Sequence, residues 1–356
     1  MKILFDCRYT RFPRHDGISR FTSGLVTALA KLAPVTMVIS DERQLPMLPD
    51  LPWVLAPSPT AITEPLIARR LNRFEPDVVF TPMQTMGPFG RHFGLVTTVH
   101  DLIYYENRTP PRDLAWPLRL LWRLYHLSWA PQRALLGRAD AHATVSETTR
   151  DLMLQHHLTK HPITVVPNAV HPSLVGRDQA PTRDLVYMGS FMPYKNVELL
   201  ARSMGLLPGY TLHLLSRADE STVRRLIALA PAGSIQFHQG VSDEEYARTL
   251  SSATALVSAS LNEGFGLPLV EAMASGTPIA VSDIAIFREI GGDAAVFFDP
   301  HSPESFAAAV RDLEDPAEWK RRSQLARTRA SFYSWDLSAK ALLGTLTAVY
   351  ESRRAS

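Results

Sequence analysis

Two glutamates flank a glycine-rich turn in the stretch NEGFGLPLVEAMASGTPIAVSD, which runs from Asn262 to Asp283. An apolar run, Ala253 to Leu261, precedes the turn and reads as a buried strand. Pro268 stands where a first helical residue belongs, because its ring presets φ and its missing N–H is no loss there. Gly276, Thr277 and Pro278 end that short, almost wholly apolar helix. Its N-terminus, with the amides of Gly266 and Leu267, is suited to hold an anion. Glu263 lies in the loop before the helix and Glu271 inside its first turns. Ionised carboxylates only accept hydrogen bonds, so both glutamates are suited to acceptor work. The bland alternatives are a solvated loop residue for Glu263 and a carboxylate favouring its own helix dipole for Glu271.

The elements around this turn follow a regular order. Lys2 to Asp6, Val35 to Ser40, Asp77 to Thr81, Leu95 to Asp101, Ala141 to Ser146 and Ile163 to Pro167 are mostly apolar runs of strand length. A passage rich in proline, glycine and charge, Asn168 to Asp184, interrupts them. A second series follows: Leu185 to Ser190, Thr211 to Ser216, Ser234 to Gln239, Ala253 to Ser260, Pro278 to Asp283 and Ala294 to Asp299. Helical patterns separate the strands, which predicts two doubly wound α/β domains of the Rossmann-like kind over 1–172 and 173–335. Residues 331–354 read as a helix with Trp335, Leu337, Ala341, Leu342, Leu346 and Tyr350 along it, and 336–356 form a third, helical segment. Ligands of such sheets bind beyond the carboxyl ends of the strands, so a cleft between the domains is the expected site.

Composition narrows the function classes. With 356 residues, 46% hydrophobic and 20% charged, the chain is long and apolar enough for two cores. Cys7 is the single cysteine, so no disulfide framework and no zinc or redox spacing can be drawn. The start, MKILFDCRYTRF, puts Asp6 and Arg8 where a leader needs apolar residues, and no run of membrane-spanning length follows. A cytoplasmic location is the expectation. A net charge of +2 gives no reason to expect nucleic acid. Within 108–138, however, Arg108, Arg112, Arg119, Arg123, Arg133 and Arg138 face Asp113 alone and interleave with Trp116, Trp122, Tyr125 and Trp129. Such a helical stretch either packs its aromatic side inward with arginines leaning into solvent, or lies on an anionic membrane surface. Composition favours the first.

A dinucleotide-binding reading of Gly264-Phe265-Gly266 is weighed by its spacing. Asp283 ends the next strand about where a ribose-binding acid belongs, but Leu269 occupies the third glycine position and Pro268 stands in the turn. The pattern instead resembles the Glu, seven residues, Glu signature of retaining glycosyltransferases of the GT-B fold, the large family of bacterial mannosyltransferases and sucrose synthase. DGISRF (Asp16 to Phe21), VHD (Val99 to Asp101), TVSETTRDL (Thr144 to Leu152) and VPNAV (Val166 to Val170) are similar to landmarks of its first domain. YMGSFMPYKNVELL (Tyr187 to Leu200) looks like its phosphate-lysine segment, and FHQGVSDEEYARTLSSA (Phe237 to Ala253), with Val241, like its base-side segment. The order and spacing of these matches cover essentially the whole chain.

The resemblance implies a nucleoside-diphosphate sugar as donor and an oligosaccharide, polysaccharide or glycolipid as acceptor. It implies a C-terminal helix that crosses back to the first domain. Breaking the donor's C1–O bond leaves negative charge on the β-phosphate, which prearranged cations and dipoles stabilise. Lys195 and the Gly266 and Leu267 amides would supply these, with Gly17 letting the backbone approach the phosphates and Arg20 as a second cation. Glu263 would hold donor-sugar hydroxyls and Glu271 the ribose hydroxyls; Gly264 and Phe265 complete the turn. His100 would touch the sugar near the scissile bond. Tyr9, Arg11, Arg14, Asp101 and Tyr104 to Arg112 are candidate acceptor residues. No Asp-x-Asp pair ends a strand, so neither a metal nor another cofactor is expected. GDP-mannose is the first donor implied, with UDP-sugars close behind. The chain departs from the pattern where Ser190 replaces a frequent arginine and Ser19 a frequent glycine. A nucleotide-sugar epimerase, a dehydrogenase and an exported solute-binding protein are the competing classes.

Overall fold

Runs of valine, isoleucine and leucine without polar alternation suit strands covered on both faces, and they form two parallel sheets. The computed structural model describes residues 1–110, 116–170 and 181–355. Arg112, Asp113 and most of the passage between the two strand series lie outside them. Contacts divide the chain into Met1–Ala169 with Ser334–Ser356, and Val170–Tyr333.

The first unit carries β1 (Ile3–Asp6), β2 (Val35–Ile39), β3 (Trp53–Leu55), β4 (Val78–Phe80), β5 (Gly94–Val99), β6 (Ala141–Thr144) and β7 (Ile163–Val165). They pair in parallel in the order β3-β2-β1-β4-β5-β6-β7. The strand order reverses between β1 and β4, so loops leaving these two strands diverge and open a crevice at their carboxyl ends. β3 has no counterpart among the predicted runs. It is three residues long, partly exposed and follows Pro52, so it lacks the apolar continuity of the others.

Helix Gly17–Leu29 buries Phe21, Leu25, Val26 and Leu29 and is capped by Asp16, whose carboxylate accepts from the Ser19 amide at 2.8 Å. The C-terminal helix Trp335–Ala355 belongs to this first unit and packs on Gly17–Leu29. Gly24 permits that packing, since a Cβ there would sit 2.3 Å from the Trp335 ring. The buried face of the helix is Ser338, Ala339, Leu342, Thr345, Leu346 and Val349, while Leu337 is exposed. Leu342 and Leu346 of the predicted stripe lie on this face, but its edge is shifted, because Ser338 Oγ donates to the Pro167 carbonyl and Thr345 Oγ1 to Thr164 Oγ1, both at 2.7 Å.

Buried His142 on β6 is held between Thr97 Oγ1 (2.8 Å) and Thr159 Oγ1 (3.2 Å). Burial, with a smaller contribution from His161, lowers its pKa to about 4. The folded unit therefore refuses a proton that the unfolded chain accepts near pH 6.5, and this stabilisation, complete above that pH, is lost as pH falls toward 4. His142→Gln is expected to remove about 3 kcal/mol of the pH dependence of urea unfolding in that window. An unchanged slope would show that His142 is not the group responsible.

The second unit carries β8 (Asp184–Tyr187), β9 (Thr211–Leu214), β10 (Ile235–Phe237), β11 (Ala255–Ser258), β12 (Ile279–Ser282) and β13 (Ala295–Phe298), all parallel in the order β10-β9-β8-β11-β12-β13. Here the order reverses between β8 and β11. Each predicted run is a strand, one to four residues shorter than its hydrophobic pattern, because the polar residue at the run's end belongs to the loop that leaves the sheet.

Candidate active site

In the second unit the loops leaving β8 and β11 come together at the point where strand order reverses. The Leu261 amide donates to the Tyr194 carbonyl at 2.7 Å, tying one loop to the other. This brings Lys195 to Glu263, residues 68 positions apart, in a short ion pair between Nζ and Oε1. Both side chains keep a small exposed fraction, 15% and 14%. Buried Ser260 also donates to Glu263 Oε1, at 3.0 Å, and lies 3.1 Å from Ser258 Oγ. Glu263 Oε2 takes no hydrogen bond from a described residue, so this acceptor remains for a ligand hydroxyl.

Behind Glu263 the chain turns into helix Leu267–Ser275. The turn needs a left-handed residue, and Gly266 supplies it at φ 94° as the N-cap; a Cβ there would also press on Phe287 at 3.1 Å. The helix starts one residue earlier than Pro268. The Leu269 amide bonds the Gly266 carbonyl at 2.9 Å, leaving the Gly266 and Leu267 amides at the open end. Gly264 remains half-buried in the turn. Phe265 turns inward instead, its ring edge-on to Tyr333 at 5.6 Å, so only its backbone is available to a ligand. Glu271 is neither solvated nor on the helix surface: it is buried and accepts from the Tyr246 hydroxyl at 2.9 Å. Tyr246 lies on helix Asp243–Ser252, directly after the loop holding Val241.

The Gly189-Ser190 loop is built from below. The hydroxyl of buried Tyr187 donates to the Ser190 carbonyl at 2.6 Å, and a Cβ on Gly189 would lie 2.7 Å from that hydroxyl. Ser190 itself is exposed and carries no charge. The Gly189 amide donates to Ser216 Oγ at 3.1 Å, which places Arg217 beside this loop at the exit of β9. The Arg217 side chain then runs past Gly240, 3.2 Å from where a Cβ there would be. It is exposed and forms no ion pair among the described residues. Nothing in the local sequence singles out Arg217, Tyr246 or Ser260; their placement depends on strand order.

In the first unit the carboxyl ends of β1, β4 and β5 carry the remaining candidates. Arg8 is fully buried, bonded to Asp6 (2.8 and 3.0 Å) and Glu64 (2.7 and 2.9 Å), and it anchors the segment that carries Tyr9, Arg11 and Arg14. Tyr9 bonds Thr85 at 2.9 Å, Arg11 pairs with Asp16 at 2.8 Å, and Arg14 is exposed. Ser19, where a glycine is frequent in the resembling family, is buried because its hydroxyl accepts from the Arg11 amide at 2.6 Å. A glycine could not make that tie. A Cβ on Gly17 would meet nothing within 4 Å, so space lies open at this helix start, with Arg20 one turn on.

His100 Nε2 lies 2.7 Å from the Pro82 carbonyl. A carbonyl only accepts, so Nε2 carries the proton and Nδ1 is the acceptor. Burial lowers the His100 pKa, against smaller raising effects of the Pro82 bond and Asp16. The ring is therefore a neutral acceptor near pH 7, packed on Phe21 at 5.0 Å. Asp101 is engaged with its own backbone, accepting from the Ile103 amide at 3.1 Å, and Tyr104 packs edge-on against Trp122 at 5.2 Å.

Solved structures share this architecture. Sucrose-phosphate synthase from Thermosynechococcus elongatus aligns over 99% of both chains with a TM-score of 0.75 at 19% identity. The Anabaena protein HepE, solved with UDP and glucose, covers 98% of this chain and all of its own at a TM-score of 0.73 and 17% identity. Two parallel-sheet Rossmann-like domains with these neighbours define the GT-B fold.

The sequence assigns it further. Residues 15–174 match Glycosyltransferase Family 4 and residues 178–329 match Glycosyl transferases group 1, and the chain belongs to this family of enzymes. It is 24% identical over 312 residues to the O-antigen chain mannosyltransferase of Salmonella typhimurium, spanning 84% of this chain and 87% of that one. It is 28% identical over 272 residues to the MMP alpha-(1→4)-mannosyltransferase of Mycolicibacterium hassiacum, spanning 73% and 65%. Among the described residues no helix is long and apolar enough to cross a membrane.

Proposed function

We propose that this glycosyltransferase moves a hexose, mannose from GDP-mannose first, to an oligosaccharide, polysaccharide or glycolipid acceptor with retention of anomeric configuration and without a metal ion. The observation that carries the reading is the meeting of Lys195 and Glu263 beside the start of helix Leu267–Ser275. The mannosyltransferases among its relatives favour the sugar.

In this reading the donor diphosphate lies against Lys195, the Gly266 and Leu267 amides and Arg217, which takes the part of the arginine absent at Ser190. Their positive character offsets the charge that grows on the β-phosphate as the C1–O bond breaks. Those groups do the work that a bridging cation does in other sites. Glu263 Oε2 accepts a sugar hydroxyl, and Glu271, steered by Tyr246, accepts from the ribose. Such charge-assisted bonds are worth roughly 1.5–3 kcal/mol each. The acceptor hydroxyl forms its bond to C1 on the face from which the nucleoside diphosphate leaves. Its proton passes to the departing phosphate oxygen, so no enzyme carboxylate needs to become a covalent nucleophile. His100 Nδ1 and the residues at Tyr9, Arg11, Arg14 and Gly17 serve the sugar and acceptor side.

A thermal-shift panel of nucleoside diphosphates and their sugars tests this, because a ligand stabilises by the logarithm of its excess over Kd. GDP and GDP-mannose are expected to raise the unfolding temperature more than UDP, UDP-glucose or NAD. Arg217→Ala should weaken GDP about tenfold or more while leaving the unliganded transition in place. A UDP-sugar that stabilises more would reassign the donor. Release of free sugar from the donor alone would favour an epimerase.

A further inference from the structure

Residues 107–139 contain six arginines and Asp113 as their only acid, together with four aromatic residues and several leucines. The expectation from composition was a helix turned inward. The structure turns Trp122, Tyr125 and Trp129 partly inward, but helix Trp116–Tyr125 has no fully buried residue. Trp116 (76% exposed), Leu118, Leu120, Leu121 (62%), Leu124 and Leu127 all lie open. Only one edge of the helix is held. Trp122 packs on Tyr104 and, at 4.0 Å, on His126, while the Tyr125 hydroxyl donates to Gln132 Oε1 at 2.9 Å.

At about 100° per residue, Trp116, Leu120, Leu121 and Leu124 share an arc of roughly 140°, with Arg119 and Arg123 along one border. No carboxylate pairs with either arginine among the described residues. Three occupants could cover such a face. A second copy packed through a two-fold axis would set Arg119 and Arg123 against their own counterparts, with no acid from the described part of the segment between them. A partner protein would need a complementary acidic rim. A bilayer with anionic headgroups supplies both halves of the complement, hydrocarbon for the leucines and phosphates for the guanidinium groups. Tryptophan is the side chain that favours the boundary between them. Ten residues make about 15 Å of helix, too short to span and suited to lie in the plane of the surface.

We propose that Trp116–Leu127 is a membrane-surface anchor that sinks Trp116, Leu120, Leu121 and Leu124 into an anionic leaflet while Arg119 and Arg123 engage its phosphates. The anchor stands on exposure and charge alone. If the transferase reading also holds, it selects the glycolipid among the acceptors, because Tyr104, a candidate acceptor residue, is the side chain on which Trp122 rests.

Co-sedimentation with phosphatidylcholine vesicles, with and without 30 mol% phosphatidylglycerol (roughly the anionic share that gives a strong surface potential), tests the anchor. Binding to the anionic vesicles is expected to be about tenfold tighter or more and to weaken at high salt, since each arginine near such a surface adds about a factor of five to ten. The combined variant Leu120→Ser, Leu121→Ser, Leu124→Ser should stay in the supernatant yet keep the wild-type unfolding temperature and its shift with GDP. Fluorescence quenching by lipids brominated on the acyl chain should fall markedly in Trp116→Phe. Failure to bind either vesicle overturns the proposal, as does equal binding to both. A dimer seen by light scattering that the triple variant dissolves also overturns it, assigning the face to a second copy. A lost donor shift in wild type with vesicle binding intact would instead strike the transferase reading and leave the anchor standing.

Discussion

Glu263→Ala is expected to lower kcat by about a hundredfold or more, roughly 2.7 kcal/mol of transition-state stabilisation, with little change in the unfolding temperature. The size follows from two tasks that end together. Oε1 receives the Lys195 ammonium and the Ser260 hydroxyl, so the carboxylate fixes where the cation stands; Oε2 is the acceptor that the proposed reading gives to the sugar. Without it, Lys195 loses its partner and swings on a flexible stem, and the cation no longer waits where phosphate charge develops. Glu263→Gln separates the tasks. It keeps an acceptor for the sugar but replaces the ionic grip on Lys195, so a loss intermediate between wild type and alanine is the expected result. Near-normal turnover in both variants would remove Glu263 from the reaction.

The second large effect is on stability. Arg8→Met is expected to destabilise the first unit by about 3–5 kcal/mol, because the guanidinium is fully buried between Asp6 and Glu64. Its removal leaves two carboxylates in a region where, among the described residues, Asp6 keeps the Thr81 hydroxyl, 3.0 Å away, and the backbone amide of residue 8. The methionine fills the volume, so the loss reports uncompensated charge rather than a cavity. Adding Glu64→Gln should recover part of it, as expected for coupled groups. Hydrogen exchange of the β1 amides is the suitable readout, since it reports this unit alone. A change below about 1 kcal/mol would mean that water reaches the carboxylates and that the pair is dispensable.

Much of this was legible in the chain because parallel strands announce themselves as uninterrupted apolar runs, and each run named from sequence is a strand. β3 escaped because its three residues sit at a sheet edge after Pro52, where nothing demands a long hydrophobic stretch. The turn at Gly266 was readable from its residue types, since a glycine before an apolar helix and another after it mark both ends. What pairs across the sheet was not readable. The contact of Lys195 with Glu263 and of Tyr246 with Glu271 depends on β11 lying beside β8, an order that strand composition does not encode. Arg217 is not marked by its local sequence for the same reason. Its neighbours in space, Gly189 and Gly240, are distant in sequence.

The segment at Trp116–Tyr125 shows a different limit. Periodicity reveals that a helix has two faces but not which one the rest of the protein covers. The inward reading rested on the habit of aromatic residues to be buried. Here Trp122 and Tyr125 are half-buried against Tyr104 and Gln132, while Trp116 and the leucines are exposed. For the C-terminal helix the same ambiguity shifted the edge of the stripe, since serine and threonine at Ser338 and Thr345 were not counted as contact residues.

The most direct test of the account is a crystal structure of this chain soaked with GDP-mannose. The expected density places the diphosphate at Lys195 and the Gly266 and Leu267 amides, the mannose hydroxyls within hydrogen-bonding distance of Glu263, and the ribose at Glu271. Ordered density elsewhere, with Lys195 and Glu263 still bound only to each other, would contradict it.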